Sequence, residues 1–121
     1  MIEENVRKIN RYFDKQISRC GLCRVELRAE GRMDEAVFEN VKENVYNIFR
    51  SVLTMAVKTS KNDPKAAKSF FLQKIEKIPS NWEAAYEKAG QNDDAEKMRI
   101  ERLKLDTARE IKENFTNLWE D

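Results

Sequence analysis

Apolar residues return along this chain at helical intervals. Ile2, Val6, Ile9, Phe13, Ile17, Cys20 and Leu27 fall on one stripe of a long amphipathic helix reaching to about Ala29. Gly31 follows as its stop, because a helix commonly ends on a left-handed residue that glycine adopts without strain. A second helix is expected from Asp34, as N-cap, to Thr59. Val41, Val45, Ile48, Val52 and Met55 form its stripe, with Phe38, Phe49 and Ala56 beside it. In the C-terminal half the apolar arc widens to Tyr46, Leu53 and Val57, which predicts burial on several sides and places the centre of the core there.

The stretch TSKNDPK then breaks the pattern. Asp63 as N-cap and Pro64 at the first helical position open a third helix, faced by Ala67, Phe71, Ile75 and Ile78, and Pro79 stops it. Ser80 and Glu83 have the spacing of a capping box and open a short fourth helix that Gly90 ends. Asn92 or Asp93 caps the last helix, which carries Ile100, Leu103, Ala108, Ile111, Phe115 and Leu118 to the C-terminus. The expected fold is all-α: an antiparallel helical bundle of four to five helices, two or three of them long, in a single domain over residues 1–121.

Composition agrees with long helices. The chain is 40% apolar and 37% charged, with 3 glycines and 2 prolines. Strands and tight turns need more of the latter two. A net charge of +1 does not advertise a nucleic-acid partner. Apolar runs are far short of the ~18 residues that a membrane span needs, and no leader-like segment opens the chain. The 2 cysteines suit a reducing compartment, so the expected location is cytoplasmic.

With 0 histidines the chain lacks the commonest general base and the His-containing zinc and di-iron sites. No glycine-rich phosphate loop is present. Glu35, Glu39 and Glu43 repeat on the second helix, and Asp106, Glu110 and Glu113 on the last. Both sets are expected on solvated polar faces. No catalytic residue and no cofactor are implied.

The stretch RCGLCR holds the candidate chemistry. Cys20 and Cys23 have the spacing of a redox pair or half of a zinc site, and Arg19 and Arg24 would lower their thiol pKa. A redox pair works best at a helix N-terminus, however, and this one falls late in a helix with no strand before it. At 100° per residue Cys23 lies about 60° from Cys20, so both can face the core as small apolar groups. Gly21 decides between these readings: a break there would start a new helix at the thiols.

Charge is uneven. Residues 61–80 carry 5 basic and 2 acidic groups, and residues 81–121 carry 7 and 11. Lys61, Lys65, Lys68, Lys74 and Lys77 are candidates for a basic nucleic-acid patch, although such runs usually mark solvated faces that attract acidic ones. Apolar residues off the main stripes, Phe70, Leu72, Met98 and Leu105, are candidates for a partner surface. The leading expectation is a small soluble non-catalytic interaction or regulatory protein that works through helix-face contacts, as a homodimer or with another protein. A thiol redox or zinc protein and a nucleic-acid binder are the alternatives.

Overall fold

The computed structural model describes residues 2–121. Among them the chain forms α1 (Ile2–Ala29), α2 (Met33–Thr59), α3 (Pro64–Lys77), α4 (Pro79–Gln91) and α5 (Ala95–Leu118), and no strand. The fold is an all-α bundle. Cross-helix pairs give its directions. Arg24 meets Glu43 and Asp14 meets Arg50, so α1 and α2 are antiparallel. Lys8 reaches Glu120 and Tyr12 reaches Glu110, so α5 also runs against α1 and therefore parallel to α2. Helices α3 and α4 together form one bent column. Ile78 between them is still right-handed helical (φ −58°, ψ −46°). Pro79 has no N–H for the carbonyl four residues back, so α3 ends just before it, as expected, and α4 starts at Pro79 with only Ile78 between them.

Several predicted ends are confirmed, and others move. Gly31 (φ +75°) closes α1 as expected, with Arg32 N–H donating to Leu27 O at 2.8 Å and Gly31 N–H to Arg28 O at 3.1 Å. The same paired bonds close α2 at Lys61 and α4 at Asp93, with φ of 55° and 53° and no glycine. Asp63 caps α3, accepting from Lys65 N–H at 3.2 Å. Asp34 is not a cap, since α2 starts one residue earlier behind Arg32. Ser80 does not form a capping box: inside the bent column its hydroxyl donates back to Lys77 O at 2.6 Å. Gly90 lies within α4, not at its end; a Cβ there would stand 3.5 Å from Met98 Cε, an ordinary contact. Asp94, not Asn92 or Asp93, caps α5 by accepting from Lys97 N–H at 3.1 Å.

Every column contributes to one core. Phe13, Phe49, Phe71 and Phe115 are fully buried, with Ile9, Val45, Leu53 and Ile111 among them. Phe71 stacks on Phe115 at 4.1 Å, and Phe115 on Trp119 at 5.1 Å. Trp119 is buried although α5 has ended and its backbone is extended. Asn5, also buried, holds that extended end by donating to Glu120 O at 2.7 Å and accepting from Glu120 N–H at 2.9 Å.

Helix α2 is rotated from its predicted setting. Tyr46, Phe49, Leu53 and Ala56 face the core, while Ile48 and Met55, placed on the stripe by periodicity alone, are exposed. The apolar arc of α2 is wide enough for two settings. Burying aromatic rings removes more surface from water than burying valine and methionine, and that setting also lets Glu43 and Arg50 meet Arg24 and Asp14.

Helix α1 continues unbroken through Gly21. A Cβ there would stand 3.9 Å from Glu43 Oε1, an ordinary contact. Gly21→Ala is therefore expected to raise unfolding free energy by about 0.5–1 kcal/mol in urea denaturation, whereas a break at Gly21 would make it fall. Phe49→Ala, which empties the centre of the core, is expected to cost about 3–5 kcal/mol in the same measurement.

Candidate functional site

The cysteine motif sits on the wall of a polar cleft of about 340 Å³ between α1, α2 and α5. Cys20 is buried and Cys23 exposed, and both are free thiols. Burial pushes the Cys20 thiol up to about 11; the Glu39 carboxylate adds to this and the Lys42 ammonium opposes it. A reactive cysteine needs the reverse, a thiolate at neutral pH. Arg24 does not serve the thiols, because its guanidinium lies 3.1 Å from Glu43. Among the described residues, no three His, Cys, Asp or Glu side chains converge to hold a metal ion.

A tyrosine–carboxylate clasp closes the cleft. Tyr12 donates to Glu110 Oε2 at 3.3 Å, and Tyr46 donates to the same oxygen. Burial raises both phenols well above their ordinary value, and the Glu110 carboxylate raises them further. They remain protonated donors, so the clasp ties α1, α2 and α5 together through one oxygen. The predicted solvated carboxylates are thus only partly so. Glu39 and Glu43 are half-buried between helices, because α2 turns its charged flank toward α1 and α5.

The opposite, outward face of α2 is different in kind. Its exposed residues between Ala36 and Ala56 are Val37, Asn40, Asn44, Asn47, Ile48, Ser51, Thr54 and Met55, none of them charged. All the charges in that stretch, Glu39, Lys42, Glu43 and Arg50, are half-buried toward α1 or α5. Exposure reaches 50% at Val37 and 56% at Met55, and Met33 at the start of the helix is 57% exposed. Beside this face, between α2 and α3, runs a groove of about 550 Å³ lined by Val52, Met55, Phe70 and Ile78, with Lys74 and Lys77 at its rim.

The candidates from sequence are distributed, not gathered. Phe70 lines the α2–α3 groove, with Lys74 Nζ 5.5 Å from its ring centre. Leu72 is half-buried against the core on the other flank of α3. Met98 lines a separate groove of about 560 Å³ between α2, α4 and α5, beside Phe38, Tyr86 and Leu103. Leu105 is half-buried. The lysines divide as well. Lys68 pairs with Asp121 at 3.0 Å, while Lys74 and Lys77 face the α2–α3 groove; Lys68 and Lys74 are about 120° apart around α3. Lys65 is exposed on the first turn of α3, and Lys61 on the preceding turn.

Periodicity missed Met33, Val37, Ile48 and Met55 as surface residues. The usable signal was charge: on a helical wheel, Glu39, Lys42, Glu43 and Arg50 share one side and leave the other uncharged. No protein-family model matches this chain, and neither does any curated protein or solved structure. No helix of the described residues is long and apolar enough to cross a membrane.

The thiol environment is directly measurable. Iodoacetamide at pH 8 is expected to modify Cys23 in the native protein and Cys20 only after unfolding. The folded-state pKa of Cys20 lies above its ordinary value of 9.0, so its contribution to stability is intact below that value and fades as pH rises toward about 11. Over that window wild type is expected to lose more stability, relative to its own value at pH 7, than Cys20→Ala does. Equal losses would contradict the burial of a neutral thiol.

Proposed function

We propose that this chain is a non-catalytic interaction protein and that its docking surface is the outward face of α2 with the adjoining α2–α3 groove. The occupant is an α-helix of another polypeptide. One observation carries the reading: in a chain that is 37% charged, the exposed residues of α2 from Val37 to Met55 are uncharged. Interfaces are distinguished by depletion of charge at their centre more than by bulk hydrophobicity. Val37, Val41, Asn44, Ile48, Ser51 and Met55 also follow the alternating four- and three-residue spacing of a helix–helix seam. Phe70 and Ile78 supply the second wall of a trough that fits a helix.

A photo-crosslinking side chain tests this in living cells. Placed at Ile48 or Met55, it is expected to give discrete protein adducts that are absent when the same group replaces Glu113 on the exposed side of α5. Adduct yields at positions 48 and 55 no higher than at 113 would overturn the reading.

A further inference from the structure

We infer that the occupant of this surface is a second copy of the chain, docked with the two α2 helices antiparallel. The inference rests on the reading of the α2 face given above. Three features of that face are self-complementary. The first is the charge at its two ends. Asp34 stands in the first turn and Lys58 in the last, both exposed, and neither has an ion-pair partner among the described residues. Antiparallel docking sets Asp34 opposite the partner's Lys58. Parallel docking sets like charges together. The antiparallel arrangement also opposes the two helix dipoles.

The second feature is register. The pairing that joins Asp34 to the partner's Lys58 also sets Val37 opposite the partner's Met55, and Asn44 opposite the partner's Ile48. The two-fold axis then passes at the level of Tyr46, between Asn44 and Ile48. Val37 and Met55 meet at both ends of the seam, and Ile48 meets an uncharged amide near the axis, where a single asparagine is known to fix register.

The third feature is length. Val37 to Met55 spans about 27 Å of helix, and a second α2 of the same 27 residues covers it end to end. The seam is narrow. A strip about 27 Å long and ~10 Å wide falls well short of the ~800 Å² per partner of a standard interface. The pairing is therefore a weak, exchanging dimer with a Kd on the order of 10–100 μM.

Sedimentation equilibrium of the full chain from 1 μM to 1 mM, in reducing buffer, reads the association directly. Wild type is expected to pass from monomer to dimer across that range. Ile48→Glu is expected to keep the wild-type circular dichroism and melting temperature, since Ile48 is exposed and lies outside the core cluster, and to weaken association by about 30-fold or more by placing a charge in the seam. Disulfide trapping in a Cys23→Ser background reads orientation. An equal mixture of Val37→Cys and Met55→Cys chains is expected to crosslink at least ~10-fold faster than Met55→Cys alone, whose two thiols would stand about 27 Å apart along the seam. A faster 55–55 crosslink would overturn the antiparallel register. A protein that stays monomeric to 1 mM would overturn the second copy; adducts of other mass at Ile48 in cells would then leave the docking surface standing. A dimer indifferent to Ile48→Glu would overturn both.

Discussion

The rotation of α2 about its own axis is the constraint on which the rest of this structure depends. Phe49 is fully buried, edge-on to Phe71 at 6.2 Å and to Trp82 at 6.3 Å. Tyr46 and Leu53 flank it one turn away on either side. With these three side chains inward, α2 meets α1, α3 and α5, and its remaining faces are assigned at once. Glu39, Glu43 and Arg50 turn toward α1. Ile48 and Met55 turn to solvent. Neither consequence could change without withdrawing an aromatic ring from the core.

The same rotation separates two sites of opposite character. On the α1 side, charge and hydroxyl groups gather: Cys20 beside Glu39, Arg24 against Glu43, and Tyr12 and Tyr46 on Glu110. These groups are largely committed to one another, and the low-dielectric setting keeps the thiol and both phenols neutral. On the outward side there is no such commitment. Its amides and hydroxyls are exposed, and so are Val37, Ile48 and Met55. A surface of that kind gains free energy only when something else covers it.

Much of the fold was legible along the chain. The span of α1 and its stop at Gly31, Asp63 with Pro64, and the end of α2 all follow from local backbone chemistry that needs no tertiary context. The failures share one cause. Ser80 with Glu83 looks like a capping box, but a proline after a residue that stays helical makes a bend, so no free helix start exists there to be capped. Gly90 looks like a stop, but α4 continues through it and ends at Gln91, with the left-handed residue at Asp93. Trp119 is buried just past the end of α5, and Asn5 sits on the buried stripe of α1 as a polar residue; its role exists only because the fold brings it to Glu120, 115 residues away.

For the candidate site the division is sharper. By itself the sequence determined that α2 is a helix, that its apolar arc is broader than one core contact requires, and that the charges of its middle, from Glu39 to Arg50, fall on one side. It also determined that Cys20 could lie on the buried stripe of α1. Only the tertiary structure decided which part of the α2 arc is core. Periodicity is a property of one helix, and it is equally satisfied by two settings some tens of degrees apart. The choice comes from the larger area buried by rings than by valines and methionines, and from ion pairs that form only when α1 is alongside.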